Sequence, residues 1–252
     1  MTHHSKTLKK PQVVGILGGM GPAAGADFVR LFVSACADRM RACGQVVSDQ
    51  GFPEHWLAQV PVPDRSAALN LPGLGAHQPL EPMLQALSKL AALGATTVAM
   101  ACNTAHAWHS ALQERFPQLE LLHVAREVAN SLAQRGVREV GLLATEGTYR
   151  SGLYEQALCA AGVQCYIPRP DEQGALMRGI YSGVKVGDIA LAQASFIQVA
   201  EAVARRHGLT TLVLGCTEIP LALHSVPGFD ALRLVDPAVM LARALAQRAY
   251  GD

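Results

Sequence analysis

Long apolar runs are missing from this chain. Half of its 252 residues are hydrophobic, yet no stretch reaches the roughly 18 consecutive apolar residues of a membrane span, so a soluble protein is expected. An excess of one charge is missing too. The 21 Lys and Arg residues balance 20 Asp and Glu without a long run of either sign. That leaves no electrostatic footprint for nucleic acid or a membrane surface, and it favours a small neutral or zwitterionic partner. Cysteine is sparse, with six residues and no Cys-x-x-Cys pair, which argues against a disulfide framework and predicts free thiols. The start, MTHHSKTLKKPQ, is charged and precedes an apolar run, but that run breaks at Gly18–Gly19 without a small-residue cleavage site. It reads as a frayed tail followed by a first strand, in a cytoplasmic protein.

What is present is alternation. Strand-like runs at 13–17, 96–100, 119–124, 139–144, 163–167, 210–214 and 232–235 are separated by helical patterns. Those patterns cover 77–93, 104–116, 126–135, 151–161, 188–207 and 237–249. Such alternation predicts an α/β fold with parallel sheets flanked by helices. Two internal echoes go further. GATTVAMACNT (94–104) and GLTTLVLGCTE (208–218) align at an offset of 114 residues, and VGILGGMG (14–21) and VGLLATEG (140–147) align at an offset of 126. The chain therefore reads as a duplicated α/β unit whose first copy carries a surplus, assigned to the irregular stretch 43–63.

The duplication singles out two of the six cysteines. Cys102 and Cys216 each end a strand and precede a helix, the place where open parallel sheets bind ligands. Asn103 or Thr104 can cap the first helix and Thr217 the second. The helix dipole then lowers the thiol pKa from its usual value of about 8.5. Two domains related by an approximate twofold could set one cysteine on each side of a ligand. Opposed acid/base groups of this kind suit inversion at a carbon, since one thiolate removes a proton from one face and the other thiol delivers a proton to the opposite face.

GILGGMGP (15–22), VPDRS (62–66), ACNTAH (101–106), LLATEGT (142–148), MRGIYSGVK (177–185) and GCTEIP (215–220) resemble, in order, the landmarks of the cofactor-independent aspartate/glutamate racemase family, on its aspartate branch. The resemblance implies two similar Rossmann-like (flavodoxin-like) domains with parallel sheets, related by a pseudo-twofold, with the site in the cleft between them. The expected division is 1–117 completed by 228–252 for the first domain and 118–227 for the second. The implied activity is interconversion of L- and D-aspartate by Cys216 and Cys102, with Cys216 serving the L-enantiomer, without pyridoxal phosphate, other cofactor or metal. A homodimer is expected.

The resemblance also implies that Asn103, Thr104 and Thr217 hold the α-carboxylate, with Thr145 and Thr148 as further contributors. Arg65 and Lys185 match the positions that bind a side-chain carboxylate, Arg through paired hydrogen bonds and Lys as a compact charge. Gly19, Gly21 and Gly25 have the spacing of a nucleotide loop, with Asp38 where a ribose-binding acid would stand. Within the resemblance, Gly18–Gly19–Met20–Gly21 lets the backbone approach a small substrate, and Pro22 suits a first helical turn. Glutamate racemases open with Asp-Ser-Gly and follow their second cysteine with Thr-His, whereas this chain has Gly-Gly-Met-Gly and Thr217–Glu218, which favours aspartate. Ala58–Gln59–Val60 departs from several aspartate racemases, so glutamate or another amino acid stays open. A catalytically silent amino-acid-binding or regulatory protein stays open as well. His106 and His109 are expected at the cleft rim or in solvent and not on zinc. Cys36, Cys43, Cys159 and Cys165 are expected to have no catalytic role.

Overall fold

The computed structural model describes residues 11–73, 77–223 and 232–251. Residues 1–10 of the expected N-terminal tail, and residues 228–231 and 252 of the expected C-terminal segment, lie outside them. Strands β1 (Val14–Gly18), β2 (His55–Gln59), β3 (Thr97–Met100) and β4 (Glu120–Leu121) form a parallel sheet in the order β2-β1-β3-β4. Strands β5 (Glu139–Ala144), β6 (Gln164–Tyr166), β7 (Thr211–Gly215) and β8 (Arg233–Val235) form a second in the order β6-β5-β7-β8. The second order repeats the first, as a duplicated unit requires. The α/β fold expected from the alternation is the fold observed.

The helices are α1 (Pro22–Ala42), α2 (Arg65–Ala68), α3 (Leu80–Ala92), α4 (His109–Arg115), α5 (Val124–Gln134), α6 (Glu146–Ser151), α7 (Leu153–Ala160), α8 (Pro170–Arg178), α9 (Ile189–His207), α10 (Glu218–Leu223) and α11 (Pro237–Ala249). Strands β1, β3 and β7 are buried at every position, and apolar strands of this kind need helices on both faces. One face of each sheet meets a shared apolar layer. There Phe28 and Phe32 of α1, Val128 and Leu132 of α5, Tyr154 and Leu158 of α7, and Leu241 and Leu245 of α11 pack between Val14 and Ile16 of one sheet and Val140 and Leu142 of the other. Helices α3 and α4 cover the outer face of the first sheet, and α8, α9 and α10 that of the second. Among the described residues no helix is long and apolar enough to cross a membrane.

Strand pairing crosses the expected division of the chain. Strand β4 lies beyond residue 117 and pairs with β3 of the first sheet, while β8 lies within 228–252 and pairs with β7 of the second. The helices after them cross back, α5 packing against α7 and α11 against α1. The stretch 43–63 is not wholly irregular, because it contains β2. An edge strand with exposed Trp56 and Leu57 lacks the apolar signal of its buried neighbours. The run at 119–124 forms only the two residues of β4 before His123 caps α5. The helix expected over 104–116 divides into a 3-10 turn, Thr104–Trp108, and α4.

Gly19 has a structural reason to be glycine. Its φ is +92°, and a Cβ there would overlap the backbone carbonyl and nitrogen of Val60. The turn after β1 is therefore packed against the end of β2. Gly19→Ala should destabilise the chain by about 2 kcal/mol or more, from the positive φ and the backbone collision together. Urea unfolding followed by circular dichroism measures this, and an unchanged midpoint would contradict it.

Candidate functional site

Cys102 follows β3 and Cys216 follows β7, at the carboxyl ends of equivalent strands, and both line one small pocket. Met20, Arg65, Asn103, Thr104, Thr145, Lys185 and Thr217 line the same pocket. Thr148 stands behind it, fully buried. The pocket also holds Asp64, Tyr181 and Glu218, which the sequence analysis did not select. Each lies inside a motif it quoted, next to a residue it did select or one turn from it.

The thiol environments differ from expectation. Both cysteines are free and buried, and burial raises both thiol pKa values where a helix dipole had been expected to lower them. At Cys102 burial is opposed by the Arg65 guanidinium and by the Ala105 N–H. At Cys216 the Glu218 carboxylate adds to burial and the pKa stands well above the ordinary value. The hydroxyls and amide expected at the helix starts have other partners. Asn103 makes no side-chain cap bond to the 104–108 turn, and the Thr217 hydroxyl donates to Glu218 Oε2 at 3.1 Å.

Hydroxyls and one amide join the two halves of the chain at the pocket floor. Thr104 Oγ1 lies 2.9 Å from Thr145 Oγ1 and 3.0 Å from Thr148 Oγ1, and the last two are 3.1 Å apart. Thr145 also caps α6 by accepting from the Thr148 N–H. Tyr154 donates to Asn103 Oδ1 at 2.5 Å, which leaves the Asn103 amide hydrogens for another acceptor. Gly147 permits this approach, because a Cβ there would lie 2.9 Å from both Ser66 Cα and Thr104 Cγ2.

The charged residues are held in place before any substrate arrives. Arg65 is 8 % exposed. Its Nη1 donates to the carbonyls of Val62 at 3.0 Å and Pro63 at 3.1 Å, and its Nη2 to that of Met20 at 2.6 Å. Its Nε is buried without a hydrogen-bond partner. A buried donor in that state costs about 1–3 kcal/mol unless an acceptor reaches it. Lys185 Nζ stands 4.5 Å over the Tyr181 ring and 4.0 Å from Glu218 Oε1. Tyr181 in turn donates to Asp64 Oδ2 at 2.7 Å, and Asp64 caps α2. The pocket thus carries two cations, Arg65 and Lys185, and two carboxylates, Asp64 and Glu218.

His106 and His109 do not face the rim or solvent. Both are buried, His106 within 2.9 Å of the Cys102 carbonyl and 3.3 Å of that of Leu122, and His109 within 2.8 Å of that of Leu121. With His123 they form a ring cluster, its centroids 4.8 to 6.1 Å apart. Among the described residues no group of three His, Cys, Asp or Glu is arranged to hold a metal. Cys36 packs within the shared core, where burial pushes its thiol up to about 12.

Burial and the neighbouring histidines lower His106 to about 3, while burial, His109 and Arg126 lower His123 to about 4. The folded protein therefore prefers the neutral rings. Above about pH 6.5 the unfolded imidazoles are neutral too and the preference has no effect on stability. Stability is then lost as pH falls through the window from about 6.5 toward these lowered values, because the unfolded chain takes up protons first. His123→Asn keeps an N-cap acceptor for α5 but does not titrate. In urea titrations from pH 7 to pH 4.5 it should show a shallower loss of stability than wild type; equal slopes would contradict the assignment.

Residues 17–245 match the Asp/Glu/Hydantoin racemase family. The chain superposes on the structure of Picrophilus torridus aspartate racemase with a TM-score of 0.76 and 28% identity, covering 94% of each chain. It is 35% identical over 171 residues to the glutamate racemase of Ectopseudomonas mendocina (strain ymp), a match spanning 65% of this chain and 61% of that protein. It is 22% identical over 235 residues to the broad specificity amino-acid racemase RacX of Bacillus subtilis (strain 168), spanning 92% of this chain and 96% of that protein.

Proposed function

The chain belongs to the Asp/Glu/Hydantoin racemase family, and from that premise we propose that this isomerase inverts the α-carbon of an amino acid, with Cys102 and Cys216 acting on opposite faces. One observation carries the reading: two buried free thiols, at the ends of equivalent central strands, share one pocket. One cysteine, as thiolate, accepts the Cα proton, and the electron pair of the broken C–H bond passes into the α-carboxylate. The opposed thiol then gives its proton to the other face. The products are the mirror-image amino acid and a pair in which thiol and thiolate have changed places. Cys216 serves the L-enantiomer and Cys102 the D-enantiomer.

Burial that raises a thiol pKa also strengthens every charge interaction inside the closed pocket. The α-ammonium of a bound amino acid brings a positive charge that favours the thiolate. The α-carboxylate is assigned to the amide hydrogens of Asn103, the hydroxyl of Thr104 and the backbone N–H of Thr217, with Thr145 and Thr148 fixing Thr104. No cofactor or metal enters this scheme. The six unpaired thiols support a reducing, cytoplasmic setting.

Aspartate is the substrate this reading favours. Arg65 and Lys185 line the pocket and supply positive charge for a second carboxylate. Glutamate or another amino acid is the competing choice, supported by the similarity to a glutamate racemase and a broad specificity racemase.

Cys102→Ser and Cys216→Ser should each abolish interconversion, because a serine hydroxyl is too weak an acid to replace a thiol. Cys36→Ser should stay near wild type. Full activity in either of the first two variants would contradict the two-thiol scheme. Arg65→Ala or Lys185→Ala should lower kcat/KM for aspartate by about tens to thousands of fold, the range for losing one partner of a desolvated charge pair. In Lys185→Ala, activity on alanine or asparagine should fall much less, whereas Arg65→Ala also removes the guanidinium that opposes the raised Cys102 thiol and should slow every substrate. Equal losses on acidic and neutral substrates in Lys185→Ala, measured by chiral chromatography, would remove the acidic side chain from the account.

A further inference from the structure

The two thiols of the proposed pair have unlike neighbours. Glu218 is 6 % exposed, and its Oε2 accepts from Cys216 Sγ at 3.0 Å as well as from the Thr217 hydroxyl. Its Oε1 faces Lys185 and the backbone at Gly21. Cys102 lines the pocket together with Arg65, whose guanidinium favours negative charge on its sulfur. We propose that Glu218 is a positioning residue that keeps Cys216 in its thiol form, so that when the pair loses one proton the charge resides on Cys102. The proposal rests on the two-thiol reading above and adds an order of ionisation within the pair.

The argument is electrostatic and geometric. An S–H group donates to a carboxylate oxygen at this distance, whereas a thiolate in the same place would set two anions against each other in a buried pocket. The Arg65 guanidinium has the opposite effect and favours a thiolate at Cys102. The Glu218 backbone N–H favours a thiolate at Cys216 as the Ala105 N–H does at Cys102, so these two offset each other, and the other groups near Cys216 do not reverse the contrast. Cys102 and the Tyr149 and Tyr154 hydroxyls are neutral or become negative on ionisation. Lys185 is the nearby cation, and it faces Glu218 at 4.0 Å. Glu218 also pushes the Cys102 thiol up, but there Arg65 opposes it.

Turnover from this state balances. The Cα–H bond breaks as an S–H bond forms on Cys102, and the Cys216 S–H bond breaks as a new Cα–H bond forms on the opposite face. Cys216 is left as a thiolate beside Glu218. Loss of a proton from Cys102 and gain of one at Cys216 restore the starting pair. The starting pair is therefore the form that receives the D-enantiomer.

The test is alkylation by limiting iodoacetamide across a pH series, without substrate, with modified cysteines located by peptide mass. In the wild-type protein Cys102 should react at least about tenfold faster than Cys216 near neutral pH, the ratio given by one pKa unit between them. In Glu218→Gln the Cys216 rate should rise by about tenfold or more and its profile should move to lower pH. Glu218→Asp, which keeps the charge, should leave Cys216 the slower thiol. Equal wild-type rates, a faster Cys216, or a Glu218→Gln profile superimposable on wild type would overturn the proposal. The wild-type order decides the matter even if the Gln variant does not fold. Because alkylation involves no turnover, a protein with the expected order that inverts no amino acid would overturn the racemase reading alone.

Discussion

The apolar layer of α1, α5, α7 and α11 is the contact on which the arrangement depends. Parallel strands leave their carboxyl ends on one edge of a sheet, but two separate sheets would not keep those edges together. Here the inner faces of both sheets bury against the same four helices. The helices that follow β4 and β8 cross over to pack on the other half. The positions of Cys102 and Cys216 relative to one another are thus fixed by core packing, and the polar bonds between the halves refine them.

That refinement uses buried polar groups whose partners come from both halves. The Thr104, Thr145 and Thr148 hydroxyls and the Tyr154–Asn103 bond join the first half to the second at the pocket floor. Arg65 is held by three carbonyls of its own half. Such ties cost conformational freedom during folding, before a substrate binds, which is what preorganisation means here. The closed pocket has a chemical consequence. It raises both thiols in the absence of substrate, and it makes each neighbouring charge count for more than it would in water.

Much of the fold was legible because duplication and burial leave strong marks. TTVAMAC and TTLVLGC are continuous apolar strands ending in the same residue, and their register disclosed two like sheets. Strand β2 was not legible: HWLAQ is an exposed edge strand, with neither the apolar run of a buried strand nor clean alternation. The site was legible where a motif repeats or resembles a family landmark. Glu218 and Tyr181 lie within such motifs, but no property of either residue type distinguishes a pocket carboxylate or phenol from a surface one until the chain is folded. The thiol environment was misjudged for the same reason. A helix dipole can be inferred from sequence, whereas burial of the sulfur depends on how the two halves close over it.

The central claim is that two different groups handle the proton on the two faces of Cα, and early turnover in heavy water tests it most directly. With L-aspartate in deuterium oxide, followed to low conversion, the D-aspartate formed should carry deuterium at Cα while the remaining L-aspartate keeps protium. Deuterium appearing equally in recovered substrate and product, or product that retains the original proton, would mean that a single group serves both faces. Cys102 and Cys216 would then not be the opposed pair described above.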